Sequence, residues 1–122
     1  MVDIERLNEV LEQLKQDNII DPSIGMARLA KQIKVLSYTA HAAKMAELRG
    51  IDEGQLLSLA QQYVDEAVIM MVQGDGRRRL YISLEGNVAV LIESARVLTI
   101  YTSVNFDDAI HRIIKEVQKC KS

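Results

Sequence analysis

Between Tyr63 and Val68 the apolar residues change their spacing from about every 3.6 residues to every second residue, and that change divides the chain. Upstream, Ile4, Leu7, Val10, Leu11 and Leu14 recur one helical turn apart, which predicts an amphipathic helix over 3–16. Asp21 followed by Pro22 reads as a second helix start. An Asp side chain accepts free amides there, and proline needs no hydrogen-bond partner at the first helical position. Met26, Leu29, Ala30 and Ile33 extend this expected helix to about Leu36. Thr39 is placed to cap a short helix running from His41 to Leu48, and Gly50 suits the left-handed turn that ends it. DEGQ at 52–55 has the pattern of a capping box, opening a helix to about Tyr63.

Downstream, VIMMV at 68–72 is a short apolar run bounded by the turn signal GDG. RRLYISL at 78–84, NVAVLIES at 87–94 and RVLTIYTS at 96–103 are rich in β-branched residues and joined by very short links. Links that short leave room only for hairpins, so these strands are expected to be antiparallel neighbours. Helical spacing returns over 106–117 through Phe106, Ile110, Ile113, Ile114 and Val117. The expected class is α+β: N-terminal helices, an antiparallel sheet of about four strands, and a C-terminal helix.

At 122 residues the chain suits one domain with its own core. Composition is ordinary for a globular protein, with 48% hydrophobic and 26% charged residues. The single cysteine, Cys120, rules out a disulfide framework and a cysteine-rich zinc site, and favours a reducing, cytoplasmic setting. No apolar run is long enough to span a membrane, and the N-terminal residues alternate acids with leucines, which is not the pattern expected of a secretory signal. Neither a metal nor a cofactor is expected. No Gly-rich phosphate loop, nucleophile elbow, HExxH or paired-carboxylate pattern occurs.

A net charge of −2 argues against a generic nucleic-acid binder, but the charge is uneven. Acids concentrate in the first helix. Arg77, Arg78 and Arg79 form the densest positive spot and the first candidates for binding RNA phosphates. Strand alternation adds a second expectation. Leu80, Ile82 and Leu84 share one side of their strand, and Leu98 and Ile100 one side of the last. If those sides face the helices, Arg79, Tyr81, Thr99 and Tyr101 fall together on an open polar and aromatic face.

Four short pieces then stand in a distinctive order: TAHA at 39–42, RGID at 49–52, RRLY at 78–81 and VLTIY at 97–101. This order resembles short bacterial and phage RNase toxin domains of the barnase–EndoU–colicin–RelE superfamily. The resemblance covers about residues 37–103, and divides the single domain 1–122 into three parts. These are a helical part over 1–36, a nuclease-like core over 37–103 and a C-terminal helix over 104–122. It implies metal-independent cleavage of RNA, with His41, Arg49, Arg79, Thr99 and Tyr101 as catalytic candidates. It also implies RNA as substrate, tRNA included, and a cognate immunity or antitoxin protein as partner. Oligomeric state stays open.

The residue types suit that chemistry. In metal-free cleavage the 2′-hydroxyl attacks phosphorus, so one group must take a proton, another must give one, and cations must stabilise the phosphorane. An imidazole such as that of His41 titrates near neutrality. The guanidiniums of Arg49 and Arg79 offer forks of donors that match phosphate oxygens, and Thr99 offers one hydroxyl. Tyr81 and Tyr101 offer rings on which unpaired bases stack. His111, in the last helix, is expected to be structural or solvent-facing. The alternative is a non-enzymatic interaction protein, such as a phage or mobile-element accessory protein with a decayed nuclease-like fold. The two part on whether His41 converges with Thr99 and Tyr101.

Overall fold

The structure, a computed structural model, describes residues 3–22, 24–73, 77–83, 88–102 and 108–120. The helix α1 (Ile4–Gln16) is capped by Asp3, whose carboxylate accepts the Arg6 amide at 3.1 Å. It buries Leu7, Leu11 and Leu14, three of the residues whose spacing predicted it. Among the described residues of 21–36 no helix follows it. Residues Ile24–Leu29 form the strand β1, and after an extended stretch Ser37–Tyr38 form the two-residue strand β2. The expected helix over 21–36 is thus corrected to strand and extended chain. The physical reason is non-local: β1 pairs antiparallel with β3 (Ile69–Gln73), whose backbone groups need a partner on that side. A helical repeat of four apolar residues cannot report that demand.

Next come α2 (Ala40–Leu48), a single 3-10 turn at Glu53–Gln55 and α3 (Leu56–Glu66). The strands β4 (Arg78–Ser83), β5 (Val88–Glu93) and β6 (Arg96–Thr102) and the helix α4 (Asp108–Lys119) complete the chain. Among the described residues six strands form one sheet in the order β1-β3-β4-β5-β6-β2, antiparallel except for the parallel β2–β6 pair. The class is α+β, as expected, with two more strands than the four anticipated.

Helices cover both faces of this sheet. Leu7, Leu11 and Leu14 of α1, with Ile113, Ile114 and Val117 of α4, pack on Ile69, Met71, Leu80, Ile82 and Ala89. On the other face Ala42 and Ala46 of α2, with Leu56, Ala60 and Val64 of α3, pack on Met70, Tyr81, Val90, Ile92, Val97 and Ile100. The expectation of one open, polar sheet face is therefore corrected. Tyr81 is only 1% exposed.

The alternation in β6 also differs from a regular strand. Ile92 lies opposite Val97 but Leu91 lies opposite Thr99, so Leu98 is an extra residue in a bulge. The bulge lets Val97 and Ile100, three apart, enter the same core. Thr99 then faces the α1–α4 side with its partner Leu91, and Tyr101 packs there too. Arg79, opposite Ile92, lies on the α2–α3 side. The four residues expected on one face are split between two.

Between β1 and β2, residues 30–36 form a strap that crosses the α3 side of the sheet. Side chains and turns hold it along its length. Ala30 donates to the Val68 carbonyl at 2.9 Å, and the Tyr81 hydroxyl donates to the Lys31 carbonyl at 3.3 Å. Gln61 of α3 donates to the Ile33 carbonyl at 2.9 Å and accepts the Val35 amide at 2.8 Å. Leu36 donates to the Ala95 carbonyl at 2.9 Å. Among the described residues no helix is long and apolar enough to cross a membrane.

Candidate functional site

The Arg-Gly-Ile step after α2 has a local cause. Arg49 caps the C-terminal end of the helix, and Gly50 comes next at φ +76°, where a side chain would be strained. The Ile51 amide returns to the Ala46 carbonyl at 2.8 Å and the Gly50 amide to the Glu47 carbonyl at 3.1 Å. These two bonds form a Schellman ending, and Ile51 and Ala46 pack in the same core. At the other end Thr39 Oγ1 accepts the Ala42 amide at 3.0 Å, and the Thr39 amide donates to the Val97 carbonyl at 3.0 Å. So α2 is fixed to the start of β6 by its cap, and its end delivers Arg49 farther along the same strand.

There β2 no longer pairs with β6, since its two residues reach only Arg96 and Val97. Arg49 occupies the vacated edge. Its Nη1 donates to Thr99 Oγ1 at 3.0 Å and to the Ile100 carbonyl. Its guanidinium carbon lies 5.4 Å from the centre of the Tyr101 ring, a cation–π arrangement. Thr99 is buried, and Arg49 and Tyr101 are half-buried. Three of the residues singled out, from two separate motifs, meet at this seam.

His41 does not join them. It is exposed, in the first turn of α2, and eight residues at 1.5 Å each put it about 12 Å from Arg49 along the helix. A single centre containing His41, Arg49, Thr99 and Tyr101 is not the arrangement found. Arg79 stands apart as well, with Arg77, at a cleft of about 330 Å³ lined by Ile33, Arg77, Arg79, Ile92, Ser94 and Ala95. Arg78 points away from that cleft, 3.9 Å from Glu93 in an exposed ion pair. Tyr81 has no ring face open to a base, and its hydroxyl is bonded to the strap. His111 is exposed on α4.

Among the described residues no group of three or more His, Cys, Asp or Glu is placed to hold a metal ion. Two functional placements had no signal in the residue pattern. Gln61 pins the strap, and Asn8 of α1 pairs with the outer edge of β1. The Asn8 amide nitrogen donates to the Ala27 carbonyl at 3.0 Å, and its oxygen accepts the Ala27 amide at 2.7 Å. Each depends on a contact far apart in sequence. Comparison with protein-family models, curated proteins and solved structures finds no match to this chain.

Proposed function

We propose that this chain acts on RNA as a metal-independent endoribonuclease of the nuclease-toxin type, engaging its substrate along the α2–β6 seam. One observation carries the reading. Arg49 is held against Thr99 and Tyr101, which joins residues from two of the segments whose order resembles those toxins. Its bonds to Thr99 and Ile100 use Nη1, which leaves Nη2 and Nε as the donors for a phosphate. In this reading Arg49 clamps one phosphate of a strand lying along α2. His41 does not converge with Thr99 and Tyr101, so the reading rests on Arg49 and not on that convergence. In it His41 takes the 2′-hydroxyl proton at a neighbouring phosphate and returns it to the leaving 5′-oxygen, giving a 2′,3′-cyclic phosphate end.

The interaction-protein reading has its own supporting feature. Met26 and Leu29 of β1 are 60% and 56% exposed, and Met26 borders a groove of about 510 Å³ with Glu5, Glu9 and Glu12 on its wall. The deciding experiment is incubation of the protein with total RNA in chelator, beside His41→Ala and His111→Ala variants. The ribonuclease reading expects cleavage by the wild type, a loss of roughly 10²–10⁴-fold in His41→Ala, and little change in His111→Ala. RNA left intact at enzyme excess across neutral pH would overturn it in favour of the interaction protein.

A further inference from the structure

The chain has 17 acids, yet none falls between Pro22 and Ala46, the stretch that holds β1, the strap, β2 and most of α2. The strap itself carries Lys31 and Lys34, both exposed. Lys34 stands between Ile33 and Val35, which pack in the core beneath it. Lys31 lies over β4, where its carbonyl accepts the Tyr81 hydroxyl at 3.3 Å. Two strand residues join the lysines on this side of the sheet. Arg28 of β1 lies opposite Met70, and Arg79 of β4 lies opposite Ile92. Met70 and Ile92 both belong to the α2–α3 core, and directly paired residues share a face. Since β1 and β4 flank β3, the strands that carry the two arginines are about 10 Å apart.

Among the described residues none of these four side chains makes an ion pair or a hydrogen bond. The acids at the end of α3 are engaged by their own helix, Asp65 accepting from Gln61 at 3.0 Å and Glu66 from Gln62 at 3.1 Å. The exposed Glu5, Glu9 and Glu12 belong to α1, which packs on the opposite face. A chain of net charge −2 thus presents a local excess of positive charge along the strap. That charge is also held in place. Gln61 bonds the strap on both sides of Lys34, and Leu36 bonds the Ala95 carbonyl at its far end. Backbone that is already ordered loses little freedom when a ligand binds. Beyond Leu36 the chain passes through β2 and the Thr39 cap into α2, where His41 and Lys44 are exposed one turn apart. The cations of the strap therefore lead into the helix that ends at Arg49.

We propose that the strap is a docking surface for the sugar–phosphate backbone of an RNA strand, held through its phosphates by Arg28, Lys31, Lys34 and Arg79. The lysines act as point charges and the arginines as forks of donors. Contacts of this kind position a strand without reading its bases. The inference rests on the reading that this chain acts on RNA, and it adds where the substrate outside the α2–β6 seam is held.

The test is fluorescence anisotropy of the intact protein with a labelled twelve-nucleotide RNA over a range of salt concentrations. The RNA carries 2′-O-methyl groups, so it lacks the attacking hydroxyl and stays uncut. Lys31→Gln with Lys34→Gln should weaken binding by about tenfold or more, and should lower the slope of log affinity against log salt by about 1.4, for two phosphate contacts on a single strand. Arg79→Gln should weaken binding as well. Arg6→Gln with Lys115→Gln, the double charge change placed on α1 and α4, should leave affinity and slope nearly unaltered. Both strap lysines are exposed, so their double variant should unfold at the wild-type temperature. Wild-type affinity and slope in that variant would overturn the proposal while leaving the RNA reading to the seam. Equal weakening by the α1 and α4 pair would show net charge acting alone, and would overturn the strap as a surface. No RNA binding by the wild-type protein would overturn both. Binding to phosphatidylserine vesicles without binding to RNA would assign the strap to a membrane surface instead, and would overturn the proposal too.

Discussion

Arg49 and Thr99, fifty residues apart in the chain, meet at 3.0 Å across the seam where α2 lies along the open part of β6. The contact does what a seventh strand would do there, supplying donors to an edge that β2 leaves unpaired. It also holds the guanidinium over Tyr101, which fixes the direction of a cation that would otherwise sample many rotamers. The same pair thus serves stability and the proposed RNA contact, and mutagenesis must separate the two.

Arg49→Ala should therefore lower folding stability by about 1–3 kcal/mol, because a buried hydroxyl and a strand carbonyl lose their donor. Thr99→Val should remove the hydroxyl while keeping the shape. In urea unfolding, the double variant should be destabilised by less than the sum of the two single changes, with a coupling of about 0.5–3 kcal/mol. Strict additivity would show that Arg49 and Thr99 do not act as a pair.

Asn8 has the corresponding role at the opposite edge. Its amide pairs with both backbone groups of Ala27, as a neighbouring strand would. Asn8→Ala should cost about 1–3 kcal/mol and leave the β1 edge open to strand addition by a second molecule. Asn8→Asp should be destabilising as well, since an ionised carboxylate has no donor for the Ala27 carbonyl. Denaturant midpoints and sedimentation velocity measure the two effects.

Two glycines should respond to alanine for different reasons. At Gly25 an added Cβ would lie 2.5 Å from the Val72 carbonyl oxygen, so β1 and β3 would have to separate, at a cost of about 1–3 kcal/mol. At Gly50 a Cβ meets nothing within 4 Å, but the backbone at φ +76° is strained for any L side chain, at about 1–2 kcal/mol. Amide exchange should locate the first disturbance in the β1–β3 pair and the second at the end of α2.

Tyr38 should titrate late. Its hydroxyl donates to Glu53 Oε1 at 3.0 Å, and that hydrogen bond, with the carboxylate's negative charge, raises the phenol above its ordinary 10.0. The folded state then holds the proton more tightly than the unfolded chain. Its contribution to stability is complete below pH 10.0 and is lost as pH rises through the raised folded value. Phenolate absorbance of the wild type minus Tyr38→Phe should rise above pH 10.0, and Glu53→Gln should move that curve down.

Local rules were legible without any tertiary information. Thr39 reads as a helix cap from its residue type and its place before an Ala-rich turn, and Gly50 as a helix terminator, because each acts on backbone within four residues. The period-two runs locate β3 to β6 nearly at their observed ends, and the short Ser94–Ala95 link requires a hairpin. The motifs also name Arg49, Thr99 and Tyr101, though not the contact among them. What the tertiary structure alone decided are the pairings. The stretch 24–36 has helical spacing, but β3 needed a partner strand and the sheet a strap across its α3 side, so β1 won over local propensity. The bulge at Leu98 reversed the expected sides of β6, parting Thr99 and Tyr101 from Arg79 and Tyr81. A second helical layer buried the face that alternation had left open, and Tyr81 with it. These outcomes depend on groups far apart in the chain competing for the same hydrogen bonds and the same apolar surface, and over such separations local pattern carries no information.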